Sequence, residues 1–444
     1  MMSGPVPTRR LLIVSPHFPP LNAPDHQRVR MSLPHYAAGG WEPVVLCIAR
    51  DRQSGVIEEE LSATVPAGVR IITVNAFSPR WTRWLGVRNS GLRCWLPMLF
   101  AGLRLLRAER FDLVFFSTTQ FFTFPLGRIW RRLRGAPYVF DMQDPWRTDY
   151  YERPGSRRPP GGWKYRFARL VAWTLEGWSF QRVSGVMSVS PDYISDLSAR
   201  YPRLARVPSA TIRFGACAED LAAARRSTAS LPGFTRAAGE VHLVYTGASG
   251  PVTPHALTVL FDAVRRFRAA HPERAARLRF HFFGTSYVAP GEGRPSVRPL
   301  AEELGVADLV HEVPHRLGHL ECLRLQEEAD VLLLPGSSDP AYSPSKTYPY
   351  FLTGRPILGL VFTGSVLEAL LVELGGAHVV RFTEHGAKED AHAAIGRFLE
   401  AALAGRAKEL IAPRDEERFA REFLAPSLTA RQTGLFSAAI AHRD

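Results

Sequence analysis

The sequence predicts an α/β protein of two Rossmann-like domains facing a cleft, on three observations. Short apolar runs alternate with amphipathic helical patterns along the whole chain, as in parallel sheets buried on both faces. The alternation restarts at Val241 after an Ala-, Arg- and Ser-rich stretch, 222–239, that reads as a surface insertion. And 444 residues exceed what one compact core usually holds.

The elements follow in order. Leu11–Ser15 is a buried strand, Pro16–Pro20 its exit, and Leu21–Gln27 a loop before a helix carrying Val29, Leu33 and Tyr36. Gly39–Gly40 ends that helix and Pro43–Ala49 is the next strand. This opening lacks Gly-x-Gly-x-x-Gly, so a nicotinamide cofactor is not expected, and no other cofactor is called for. Asp25, Arg28 and Arg30 stand at the mouth of the sheet, as substrate ligands or as a solvated helix start. Ile71–Val74 is a strand, and a helix from about Leu92 mixes aromatics with arginines. Phe111–Ser117 is a strand, Phe122–Arg134 a helix and Pro137–Phe140 a strand. That last strand delivers Asp141-Met142-Gln143-Asp144-Pro145-Trp146 to the carboxyl edge, where open α/β sheets bind ligands. Asp144 is the stronger candidate to orient a hydroxyl; Asp141 and Trp146 stand beside it, although an Asp at a strand end often only hydrogen-bonds locally. A helix over Trp163–Gln181, a strand over Gly185–Val189 and a helix opening at Ser190-Pro191 complete this half.

In the second half, strand Val241–Thr246 runs into Gly247-Ala248-Ser249-Gly250, whose backbone can approach a phosphate. Helix Pro254–Ala270, strand Leu278–Phe283, a helix near Leu300–Leu304 and strand Leu309–Val313 follow. His311-Glu312-Val313-Pro314-His315 spells His-Glu-x-x-His, but zinc proteases need it on a helix; Pro314 and the strand pattern exclude that. Helix Leu320–Glu328 and strand Ala329–Pro335 lead to Tyr342-Ser343-Pro344-Ser345-Lys346-Thr347-Tyr348-Pro349. Ser345 can cap a helix carrying Tyr348, Phe351 and Leu352, ended by Gly354. Its N-terminus, with Lys346 in the first turn, is an anion site in prospect, against the bland reading of an ordinary strand–loop–helix connection. Strand Ile357–Val361, helix Ser365–Leu374, strand Ala377–Phe382, helix Asp390–Leu403 and a helical tail over Glu416–His442 close the chain.

The Pro344-Ser345-Lys346 run closed by Gly354-Arg355-Pro356 resembles the donor segment of family-4-type glycosyltransferases, which have the two-domain GT-B fold. The Phe18-Pro19-Pro20 opening, the Asp144-Pro145-Trp146 run and the crossover at Ile212-Arg213-Phe214-Gly215 resemble the same family. The resemblance implies an acceptor-side domain over 1–212, a nucleotide-sugar domain over 213–426, and a terminal helix, 427–444, returning to the first. It implies a nucleotide-diphosphate sugar donor and retention at the anomeric centre. It also implies Lys346 and Arg213 near the leaving diphosphate, with Gly247, Ser249, Gly250, Ser343, Ser345 and Tyr348 around the donor. Three positions depart from the pattern: Ala248 and Thr253 replace a cationic pair, and Pro349 replaces a glutamate that holds the ribose.

Charge adds a partner. Between Arg80 and Arg182 there are 19 Lys+Arg and 7 Asp+Glu, which accounts for nearly all of the net +13. Interleaved Trp81, Trp84, Trp95, Trp130, Trp163 and Trp173 suit an anionic membrane face bearing a lipid-linked acceptor, or else a glycan acceptor reached from solution. No nucleic-acid-binding module is present. Four scattered cysteines, and a first strand close behind Met1, predict a cytoplasmic protein, peripheral on the inner face of the plasma membrane. With no Asp-x-Asp, P-loop or Gly-x-Ser-x-Gly, three readings stand: a metal-independent glycosyltransferase, a nucleotide-sugar epimerase, and a non-catalytic membrane-associated scaffold.

Overall fold

A computed structural model describes residues 8–78, 82, 89–147, 163–228, 230–231, 233–249, 253–286, 288, 290–342, 344–384, 386–387 and 390–442. The chain forms two compact units, Met1–Phe214 with Ala425–Asp444, and Gly215–Leu424.

The first unit is built on seven strands: β1 (Arg9–Val14), β2 (Trp41–Ile48), β3 (Arg70–Val74), β4 (Leu113–Ser117), β5 (Tyr138–Met142), β6 (Gly185–Ser188) and β7 (Ser209–Thr211). They pair in the order β3-β2-β1-β4-β5-β6-β7, all parallel. Neighbouring side chains on a strand face opposite ways, so each strand feeds two cores. Leu12, Val14, Val44 and Phe116 pack with Met98 and Trp130 on one face. Leu11, Ile13, Val45 and Phe115 pack with Phe436 on the other. That second face needs Ala425–Ala441, whose Phe436 meets Tyr36, Trp41 and Phe115 and whose Gln432 accepts from the Tyr36 hydroxyl.

Three helices cover the first face: α1 (Ser90–Ala108), α2 (Pro125–Arg134) and α3 (Trp163–Phe180), with α2 touching both of the others. Gly102 of α1 lies against the Trp130 ring of α2, and a Cβ there would fall 2.1 Å from it. Trp130 is therefore wholly buried, and its predicted place at a membrane interface is corrected: packing on a bare helix backbone holds it inside. Arg93 is also buried, donating to the carbonyls of Phe77 and Arg52, so it ties down loops and does not face headgroups.

The second unit repeats the plan with β8 (Val241–Thr246), β9 (Leu278–Phe283), β10 (Val310–Val313), β11 (Val331–Pro335), β12 (Ile357–Phe362), β13 (His378–Thr383) and β14 (Gly386–Ala387). Their order is β10-β9-β8-β11-β12-β13-β14, parallel except for the last pair. One core faces α4 (Pro254–Ala270), where Leu243, Tyr245, Phe280 and Phe282 meet Leu260, Phe261 and Val264.

Two expectations are corrected here. The segment predicted as a surface insertion, 222–239, starts inside helix Ala218–Arg226, which buries Leu221 and Ala224 against Leu320 and Leu323. Farther along, Phe234 lies on the rings of His242 and His281. Ser345 does not cap a helix: it is exposed, and helix α5 (Thr347–Thr353) starts two residues later with no side-chain cap. Proline at position 349 falls in the first turn, where its missing N–H costs no helical bond. The His-Glu-x-x-His text is strand, and Glu312 accepts from Ser296 N, Val297 N and Arg298 N at the start of helix Arg298–Glu303.

Candidate functional site

In an open parallel sheet, ligands bind beyond the carboxyl ends of the strands where the winding reverses, because adjacent loops there diverge to opposite faces. Each unit has such a point, between β1 and β4 in the first and between β8 and β11 in the second.

In the second unit, β8 ends in Thr246 and Gly247. Tyr350 of α5 reaches back so that its hydroxyl accepts from Thr246 N (3.0 Å), and Gln326 donates to Thr246 Oγ1 (2.9 Å). These bonds fix α5 over the strand end and with it Lys346. Gly247 has φ +130°, a conformation open to glycine, and a Cβ at that residue would fall 2.5 Å from the Lys346 Nζ. The ammonium also lies 4.1 Å from the Tyr245 ring centroid and donates to the Tyr245 hydroxyl, which in turn donates to Ala248 O. No carboxylate pairs with Lys346 among the described residues, and burial pushes its pKa down to about 7. The arrangement is a cation held over a bare strand end with no carboxylate among the described residues to neutralise it. Ser249 is buried, its hydroxyl at 3.0 Å from that of Ser296, and Thr253 Oγ1 donates to Ser249 O. Ser345 is exposed beside Lys346. Gly250 and Ser343 lie outside the described residues. Tyr348 is corrected: it is 2% exposed and stacks on Phe423 at 4.7 Å, because its place on α5 turns it inward.

The first unit's site is a buried polar network. Asp25, Arg28 and Arg30 are not a solvated helix start; all three are at most 3% exposed, since short helices at 24–39 tuck them under the loop after β1. Arg28 donates to Ile212 O at 2.7 Å and its Nε lies 2.9 Å from Asp141 Oδ2, which also accepts from Ser117 Oγ and Gln143 Nε2. Arg30 donates to Gln27 Oε1 and Thr64 Oγ1, a structural set. Asp25 is the hub. Its Oδ1 lies 3.0 Å from His17 Nδ1; its Oδ2 accepts from Thr118 Oγ1 (2.8 Å) and Thr119 N (3.3 Å); its carbonyl accepts from Gln143 Nε2. Burial is the largest single influence and would raise this carboxyl, but His17, His26 and the Thr118 hydroxyl together outweigh it and hold the group down at about 2.

Asp144 is exposed at the end of β5, and partial desolvation with the Asp25 charge nearby raises its carboxyl from its ordinary value. Trp146 is half-buried, its ring stacked 5.7 Å from Phe121 and edge-on to Phe124, so most of it serves packing. Arg213 is exposed beyond β7. Two contributors escaped the sequence reading, His17 and Tyr245. His17 and Asp25 are eight residues apart and join only through the loop that the helix at 24–39 closes; Tyr245 reads as one more residue of an apolar strand.

Residues 26–210 match the family model described as the glycosyl transferase 4-like domain. No curated protein matches the chain. Among solved structures, sucrose-phosphate synthase from Thermosynechococcus elongatus is 14% identical at a TM-score of 0.59, with 98% of this chain and 99% of that one covered. The UDP-forming α,α-trehalose-phosphate synthase from Burkholderia xenovorans, in complex with glucose-6-phosphate, is 12% identical at 0.55, covering 96% and 100%. WaaG, a glycosyltransferase involved in lipopolysaccharide biosynthesis, is 13% identical at 0.53, covering 96% and 99%. At such identities the likeness is one of fold, the GT-B arrangement of two α/β units.

Proposed function

We propose that the protein is a glycosyltransferase that moves a sugar from a nucleotide-diphosphate donor to a glycan or lipid-linked acceptor, on the match of residues 26–210 to the glycosyl transferase 4-like domain and on the GT-B fold. The observation that carries the donor assignment is Lys346. An ammonium pressed toward neutrality over Gly247, with no carboxylate partner among the described residues, gains most from a ligand that brings negative charge, and a diphosphate does so. The helix α4 starts at Pro254, a few residues past Gly247–Ser249, and its positive dipole end favours an anion nearby. Catalysis then rests on stabilising the departing diphosphate with charges fixed before the reaction, without a metal, and on holding the acceptor hydroxyl.

Asp144 is assigned to the acceptor. It is an exposed carboxylate at the end of β5, beside the point where the winding reverses, and its raised pKa makes it a good hydrogen-bond acceptor for a hydroxyl. Retention at the anomeric centre and a cytoplasmic, membrane-peripheral place are carried over as parts of the same reading.

The test is a panel of nucleotide sugars scored by thermal shift and by release of free nucleotide with and without acceptors. The expected result is a stabilising donor whose nucleotide is released faster when a glycan or lipid-linked acceptor is added. A donor converted to its epimer without release would replace transfer with epimerisation. Stabilisation by no donor at all would leave a scaffold.

A further inference from the structure

We propose that His17 is an acceptor-binding residue of the first unit, its Nε2 taking a hydrogen bond from a substrate hydroxyl, and that Asp25 is the positioning residue that sets this up. The inference rests on the glycosyltransferase reading and says which group meets the acceptor.

The argument begins with Asp25. Its two oxygens collect the His17 ring, two threonine hydroxyls and the Thr119 N–H, all of them possible donors. A carboxylate so surrounded is ionised and can only accept, so the proton between it and His17 sits on Nδ1. In the neutral ring the tautomer is thereby fixed, with the proton on Nδ1 and a lone pair on Nε2. The ring cannot turn away, because Asp25 is itself anchored to the loops after β4 and β5 through Thr118 and Gln143. His17 follows β1 directly, at the carboxyl edge and at the point where the winding reverses. Its side chain is 15% exposed against 2% for Asp25, and Nε2 makes no hydrogen bond among the described residues. An oriented ring with one acceptor nitrogen left for solvent is what hydroxyl recognition requires.

The surroundings select the ligand class. Asp144 stands at the same edge, close enough to feel the Asp25 charge, and offers only acceptor oxygens. Two acceptors over a buried negative charge favour a hydroxyl-rich ligand and disfavour a phosphate. The first unit therefore takes the sugar or alcohol end of the acceptor.

Two measurements on the full chain test this. In protein with ¹⁵N-labelled histidine, His17 should show a protonated Nδ1 and an unprotonated Nε2, and Nε2 should shift when methyl glucoside, galactoside or mannoside is added. With the donor and acceptor found by the nucleotide-release panel, His17→Ala should lower kcat/KM for the acceptor by roughly 10- to 100-fold, leave the nucleotide Kd unchanged, and melt as wild type does. His17→Gln, whose amide oxygen can accept the same bond, should recover most of the loss. Asp25→Asn should lose the Nδ1-protonated signature; if it does not fold, the His17 variants decide alone. An unaltered acceptor kcat/KM in His17→Ala overturns the proposal, as does a Gln variant as inactive as Ala, which would indicate proton transfer. If wild type turns over no donor, the glycosyltransferase reading fails instead, and a missing methyl-glycoside shift then overturns this inference separately.

Discussion

A lysine that burial has pushed down to about 7 is half neutral in the resting protein at neutral pH, and this makes a signed prediction. A diphosphate beside Lys346 favours the charged form and raises its pKa. Above pH 7 the free protein must therefore take up a proton to bind nucleotide, and affinity should weaken as pH rises, by up to about tenfold per unit. Calorimetry in buffers of different ionisation enthalpy should register that uptake at pH 8 and none in Lys346→Ala. The same variant should lose about 2–4 kcal/mol of transition-state stabilisation, the effect of removing one preorganised donor. A Lys346→Ala protein with wild-type turnover would remove the residue from the donor site. Asp144→Asn belongs at the same scale: if the side chain meets the acceptor as proposed, turnover should fall roughly a hundredfold while nucleotide affinity holds. Collapse of nucleotide affinity with intact turnover of bound donor would move it to the other site.

Elements were the most legible level, and the reason is periodicity. Strands buried on both faces read as unbroken apolar runs, so Val241–Thr246 and Leu278–Phe283 have the bounds their residues suggest. What local pattern does not encode is a partner far away in sequence. Arg28 meets Ile212 184 residues on, and Asp25 meets Thr118 93 residues on; each reads locally as a charged residue at a helix start. Helix Ala218–Arg226 was half lost in a low-complexity stretch because alanine marks neither face. The α1–α2 contact tests packing at this scale. Gly102→Ala drives a methyl into Trp130 and should cost about 1–3 kcal/mol, seen as a lower denaturant midpoint with an unchanged slope. The histidines of three adjacent strands test electrostatics. His242 and His281 lie ring against ring under Phe234, His281 in turn meets His311, and burial lowers all three, His281 to about 3. Asp330 and Glu240 pull His242 the other way, while Arg236, Arg279 and Arg298 reinforce the lowering. Unfolded, each ring titrates near 6.5, so below that pH the unfolded chain binds protons that the folded one refuses. Stability is intact above about 6.5 and falls as pH drops toward 3. His281→Phe should flatten that loss between pH 6.5 and 4 relative to wild type in urea melts; parallel curves would mean the trio does not govern it.

At the scale of the whole molecule, net charge decides what the protein meets first. The excess of basic residues between Arg80 and Arg182 suggests a membrane face, and the fold changes which residues are candidates for it. Trp130 is inside, Trp95 is half-buried in the first core, and Trp81 and Trp84, with the Trp163 side chain, lie outside the described residues. No helix among the described residues is long and apolar enough to cross a bilayer. Yet Leu92, Leu96 and Phe100 are exposed at four-residue steps along α1, and Arg104 continues the row with Arg107 beside it. On α3, Leu170 and Trp173 are exposed next to Arg169, and on α2, which adjoins both helices, Leu133 stands between exposed Arg132 and Arg134. Aliphatic and aromatic side chains ringed by arginines on one helical layer fit the boundary between headgroups and acyl chains. Each basic residue near an anionic surface contributes about 1 kcal/mol, so five or six suffice for reversible attachment that salt weakens. In liposome flotation, recovery should rise with anionic lipid and fall with salt, and Phe100→Ser with Trp173→Ser should reduce it while nucleotide affinity stays as in wild type. Equal recovery from neutral and anionic vesicles, or none from either, would assign the acceptor to solution and leave the apolar row to another partner.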